Sequence, residues 1–328
     1  MIWRFSRQAL TLFVVAALLS LTLVAIDAQS GSTETVNDKL FPNFELLVST
    51  DWLWEHLDDP NLLIVDMRSP EAYAAGHIPR AINVSVDQIA SAVDGIPMEF
   101  DVDKVQATLN AIGLTPDTTV VVYDDLGMLN SARFFWTLEL VGHEDIRVVN
   151  GGWNAWVANR RETSIFVPDP TPSTYPIQLI DNRIVSADEV LSLLDNPEVV
   201  ILDVRSPMEY SGEIALAERG GHIPGAQLLN WLDVLTGGDA VYTTESTWME
   251  QLRDDDVEHF KYANEVEVLL NERGVTRDKT VIVYCQTLYR GAHMYYLLRL
   301  MGFEDVRGYD GSWAEWGNRS DLPAVVND

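Results

Sequence analysis

The chain has 328 residues, 47% of them hydrophobic, with 50 acidic against 22 basic side chains and a formal charge of −28. That length accommodates two ordinary domains, each able to bury its own core. So negative a field repels nucleic acid and anionic lipid heads, which excludes both as partners, and it slows small anions unless local basic groups offset it.

Residues 1–30 carry Arg4 and Arg7, then no charge between Ala9 and Ile26. This is the profile of an export signal or of a single membrane anchor. Ala28-Gln29-Ser30 suits cleavage, and the apolar run 9–26 is also long enough for a retained membrane tether. Either outcome predicts an exported protein, periplasmic or extracellular, with its folded part beginning after about residue 30. Exported proteins normally pair their cysteines in disulfides, yet Cys285 stands alone. It is either a small buried hydrophobe or a reactive thiol.

The rest of the chain is a tandem duplication. LLIVDMRSPEAYAAGHIPRAINVS (62–85) returns as VVILDVRSPMEYSGEIALAERGGHIPGAQLLN (199–230). TTVVVYDD (118–125) returns as KTVIVYCQ (279–286), and GHEDIRVVNGGWNAW (142–156) as GFEDVRGYDGSWAEW (302–316). The predicted domains are 31–166 and 183–328, joined by an extended, proline-rich linker at 167–182. The second copy carries insertions near 211–219 and 233–260. In each copy short apolar runs alternate with helix-length segments that end at Gly142 and Gly302, placed as C-terminal caps. The expected fold is α/β: tandem three-layer domains, each a parallel sheet flanked by helices.

TVIVY (280–284) runs into CQTLYR (285–290), and a helix follows. The cysteine therefore joins the carboxyl end of a strand to a helix N-terminus, where ligands of open α/β sheets bind. Backbone N–H groups and the helix dipole favour negative charge there, so a thiolate nucleophile and an anion cradle are expected. Phosphatases use Cys-x5-Arg to hold a phosphoryl group. Arg290 comes one position earlier, which favours a smaller guest, a single sulfur atom. Arg290 is the candidate for holding an anionic donor, or else for an ion pair with a neighbouring carboxylate.

The paired Asp-x-Arg-x-x-x-x-Tyr and Gly-His-Ile-Pro blocks, the six-residue cysteine loop and YDGSW (309–313) resemble the tandem-domain thiosulfate sulfurtransferases, the rhodanese family. The resemblance covers nearly everything after the N-terminal segment. It implies a catalytic second domain and an inactive first one, whose position matching Cys285 is Asp124 counted from the strand or Asp125 counted back from the tryptophans. It also implies transfer of sulfane sulfur from thiosulfate to cyanide or a thiol through a Cys285 persulfide, with Gln286, Thr287, Leu288, Tyr289 and Arg290 around the substrate and no metal or cofactor. Mercaptopyruvate-specific relatives use a loop hydroxyl with an Asp and a His, which map to Thr287, Asp66 and His77. Asp66, Arg68, Asp203 and Arg205 recur in both copies, as expected of a structural ion pair tying strand to loop. CQTLYR matches neither the basic nor the glycine-rich loop type. Leu288 stands where relatives commonly have glycine, and Glu209 where many have an arginine. A 3-mercaptopyruvate enzyme, or an exported sulfur carrier or sensor, is therefore the alternative. The chain is expected to act as a monomer.

Overall fold

The computed structural model describes residues 41–93, 95–236 and 259–326. The expected signal or tether and most of the 233–260 insertion lie outside these residues.

Each repeat builds a parallel sheet. The first contains β1 (Leu47–Val48), α1 (Thr50–His56), β2 (Leu62–Asp66), α2 (Pro70–Ala75), β3 (Ile82–Asn83), β4 (Ala90–Val93), β5 (Ile96–Phe100), α3 (Val102–Ala111), β6 (Thr119–Tyr123), α4 (Leu129–Leu140), β7 (Ile146–Val149) and α5 (Gly152–Ala158). The second contains β8 (Ile184–Val185), α6 (Ala187–Leu193), β9 (Val199–Asp203), α7 (Pro207–Ser211), β10 (Gln227–Leu228), α8 (Ala263–Asn271), β11 (Thr280–Tyr284), α9 (Tyr289–Leu300), β12 (Val306–Tyr309) and α10 (Ser312–Trp316). Strand orders are β1-β7-β6-β2-β3 and β8-β12-β11-β9-β10, the same topology twice. The register repeats as well: Val65 faces Val122 as Leu202 faces Val283. Central strands β6 and β11 are apolar through their middle three residues, as suits a strand covered on both faces. The antiparallel hairpin β4–β5 falls outside the expected strand–helix alternation.

Local sequence fixes the helix ends. Ser69 and Ser206 cap α2 and α7 by accepting the N–H of Ala72 and Glu209, with proline at the first helical position in each. Gly142 and Gly302 follow α4 and α9 in the left-handed region, both at φ 82°, as their capping role requires. A Cβ on Gly142 would also sit 2.8 Å from the Gln178 carbonyl oxygen. That contact belongs to the linker. It carries no helix or strand over 167–180 and lies bonded along the first repeat: Ser173, Gln178 and Ile180 donate to the carbonyls of Asn110, Val141 and Leu140.

Helices α4 and α9 pack against each other and are buried almost all round. Phe135 and Tyr296 meet edge-to-face at 4.8 Å. Tyr295 and Arg299 bond Glu139 at 2.5 and 3.1 Å, and Arg133 bonds Asp310 at 2.9 Å. The two sheets therefore share one core across this helix pair.

The recurring Asp–Arg pair is structural in both copies. Arg68 grips the Asp66 carboxylate (2.6–3.1 Å), donates to the Gly76 carbonyl at 2.7 Å and lies 3.8 Å from the Trp153 ring. Arg205 does the same with Asp203, Gly221 and Trp313. Tyr123 and Tyr284 add hydroxyl bonds to Asp66 and Asp203, each 2.5 Å. Arg68→Met should leave Asp66 buried without its counter-charge and cost ~3–5 kcal/mol of stability. A urea midpoint unchanged from the parent would refute this.

Candidate active site

Cys285 directly follows β11 and is fully buried. The loop bends back through Leu288, in the left-handed region at φ 55°, and enters α9. A non-glycine residue there is strained, and burial holds it. Its side chain occupies space left by two glycines: a Cβ on Gly291 or on Gly308 would lie 2.7 Å from a Leu288 methyl. Ser312, the first residue of α10, closes the loop from beyond β12. Its hydroxyl donates to the Tyr309 carbonyl at 2.7 Å and accepts the N–H of Leu288 at 2.9 Å and of Cys285 at 3.4 Å. The N–H groups of Gln286, Thr287, Tyr289, Arg290 and Gly291 have no acceptor among the described residues. Unpaired donors in a strand-to-helix loop and in the first turn of a buried helix make an anion cradle.

The first repeat shows such a cradle filled. Trp153 N–H donates to the Asp124 carbonyl at 2.8 Å, as Trp313 N–H does to that of Cys285 at 3.0 Å. Asp124, rather than Asp125, is therefore the counterpart of Cys285. Its carboxylate accepts the N–H groups of Leu126 (2.8 Å), Met128 (3.1 Å) and Ser131 (2.7 Å), and the Ser131 hydroxyl (2.8 Å). Burial outweighs these bonds and raises its pKa above the usual carboxylate value.

Arg290 is not open to solvent anions. Both terminal nitrogens donate to Glu209, at 2.7 and 2.8 Å, with each side chain largely buried. Burial alone would raise the Glu209 pKa. The Arg290 guanidinium and the Ser206 N–H overcome it and hold the carboxyl at about 2. Gln286 donates through Nε2 to the Leu216 carbonyl at 3.1 Å, within the 211–219 insertion, and its buried Oε1 has no donor among the described residues. Thr287 is half-buried, and its hydroxyl has no bond among the described residues. The Tyr289 hydroxyl donates to Asn130 of the first repeat. Nearby His293 is fully buried against the rings of Trp231 and Phe260, its Nε2–H donating to the Gly127 carbonyl at 3.1 Å. Burial takes its pKa down to about 3. No cluster of side chains suited to a metal ion occurs among the described residues.

The rhodanese-like domain family matches residues 49–159 and again 186–319. The chain belongs to the rhodanese family. It is similar to thiosulfate sulfurtransferases of Azotobacter vinelandii (32% identity, covering 87% of this chain and 99% of that one) and Corynebacterium glutamicum (35%, 86% and 93%). It is also similar to the sulfur carrier protein TtuD of Thermus thermophilus (34%, 85% and 96%). The solved anaerobic ergothioneine biosynthesis enzyme of Chlorobium limicola superposes with a TM-score of 0.74 at 25% identity, covering 88% of this chain and 72% of that one. YnjE, with a TM-score of 0.75 at 21% identity, shares the fold. The protein is a rhodanese-type sulfurtransferase.

Within this rhodanese, several expected site residues hold other places. Leu288 points into the core, because the left-handed turn directs its side chain toward Gly291 and Gly308, and its backbone is taken by Ser312 and Ala292. Arg290 takes the ion-pair alternative, because Glu209 lies within reach and pairing offsets the cost of burying its charge. Asp66 and His77 do not join Thr287 in a proton relay. Asp66 is consumed by Arg68 and Tyr123, and His77 contacts the carbonyls of Tyr73 and Phe166 through its two ring nitrogens, all inside the first repeat. Ser312 was missing from the expected set. The signal for it is in the duplication: GSW in the cysteine-bearing copy stands against GGW in the other.

Proposed function

We propose that Cys285 carries sulfane sulfur from thiosulfate to cyanide or a thiol. The Cys285 thiolate attacks the outer sulfur of thiosulfate, the S–S bond breaks, and sulfite leaves with the bonding pair. The enzyme then holds a persulfide anion on Cys285. The acceptor attacks that outer sulfur and restores the thiolate. No electrons are exchanged with a third reagent, and no cofactor is required.

The observation that carries this reading is the contrast between the two loops. In the first repeat a carboxylate fills the cradle. In the second, the loop N–H groups of Gln286, Thr287, Tyr289, Arg290 and Gly291 have no acceptor among the described residues, beside a lone thiol. A terminal sulfur anion supplies the acceptor they lack, in the manner of an oxyanion hole. A carboxylate accepts no sulfane sulfur, so we assign the chemistry to the second repeat alone. The uncharged run 9–26 supports export of the enzyme.

The test is intact-mass spectrometry of the full chain after thiosulfate treatment. A gain of one sulfur, removed by cyanide with release of thiocyanate, is expected; no gain would sink the persulfide. The name of the Thermus relative favours a second reading, a carrier that loads once and waits for a partner protein. Steady thiocyanate production over many turnovers separates the enzyme from such a carrier.

A further inference from the structure

Glu209 has two roles that can be told apart. It is the third residue of α7, where it closes a capping box: Ser206 N–H and hydroxyl donate to Oε2 at 3.0 and 2.9 Å, and Glu209 N–H returns to the Ser206 hydroxyl at 3.2 Å. The same carboxylate takes both terminal nitrogens of Arg290. The equivalent positions in the first repeat are Ala72 and Asn130, counting from the Asp66/Asp203 and Leu129/Tyr289 pairs. Helix α2 forms there with Ser69 as its cap and no acid at that position. The fold therefore needs neither member of the ion pair. It is confined to the repeat that holds the thiol, and it cancels the charge of the one cation in the cysteine loop.

We infer that Glu209 is a specificity-determining residue that keeps the donor site neutral and favours singly charged sulfane-sulfur donors over doubly charged thiosulfate. It acts through Arg290, and the inference rests on sulfur transfer by Cys285. A cationic site would hold a dianion more tightly than a monoanion of the same shape. A neutral pair removes that advantage and leaves the dianion's larger desolvation cost. Glutamine can still close a capping box, so Glu209→Gln removes the charge and spares the helix start.

The experiment compares thiosulfate with methanethiosulfonate, in which a methyl group replaces one charged oxygen. Cys285 thiolate takes the outer sulfur of either, releasing sulfite from one and methanesulfinate from the other. Using the full chain with cyanide as acceptor, Glu209→Gln should shift the ratio of kcat/KM toward thiosulfate by roughly tenfold, mostly through KM. A ratio within twofold of the parent overturns the inference, because a merely structural role would move both donors together. A measurement on the unaltered protein needs no folded variant. Methanesulfonate should inhibit at least as well as sulfate, and tenfold tighter inhibition by sulfate would equally overturn it. If neither donor places sulfur on Cys285, the transfer reading falls first and takes this one with it.

Discussion

Cys285→Ser is expected to abolish sulfur transfer while the protein stays folded. Serine is close in shape, and the site is fully buried, so the packing change is small. The hydroxyl, however, is a far weaker nucleophile and forms no stable bond to sulfane sulfur. Loss of the attacking atom should lower thiocyanate formation on the order of 10⁴-fold or more. The sulfur mass gain should vanish with it. A serine variant within tenfold of the parent would end the covalent mechanism, since no other cysteine exists in the chain to take over.

The second large effect is on acid stability. His293 is neutral in the folded protein because burial holds its pKa at about 3, against 6.5 when free. Below pH 6.5 the unfolded chain takes up a proton that the folded chain refuses. Stability therefore falls as pH falls, by about 1.4 kcal/mol per unit, until the folded pKa is reached. The whole window represents roughly 5 kcal/mol. His143 and His222 are also lowered by burial, so their contributions run the same way. Glu209, depressed to about 2, adds its loss only below about pH 4.5. Comparison with His293→Gln, which keeps a donor for the Gly127 carbonyl, isolates the histidine. The variant should show a flatter decline in urea-unfolding free energy between pH 6.5 and 4.5. Parallel curves would show that His293 charges without opening the core.

Periodicity and repetition carried most of the architecture. TVVVY and TVIVY read as strands buried on both faces because they are, and Gly142 and Gly302 read as helix ends because only a left-handed residue completes that turn. The cysteine loop was legible for the same reason: strand end, thiol and helix start are adjacent in the chain. What escaped depends on partners distant in sequence. Arg290 and Glu209 lie 81 positions apart, and nothing local says that one will neutralise the other. Leu288 was misplaced because its direction follows from one backbone angle and from space left by Gly308, on a different strand. The hairpin β4–β5 escaped because its counterpart in the second copy, the antiparallel bridge between Leu235 and Phe260, joins residues 25 positions apart across the insertion.

The α4–α9 contact bears on what a gene duplication can discard. A copy without the cysteine is ordinarily free to shrink or vanish. Here residues 183–328 alone would lose the Asn130 partner of Tyr289 and the Gly127 carbonyl that His293 bonds, and would expose the faces of Tyr295, Tyr296 and Arg299 to water. The first half thus serves as a wall. Its own loop is filled by Asp124, but the side chains of α4 are answerable to a helix encoded more than 150 residues away.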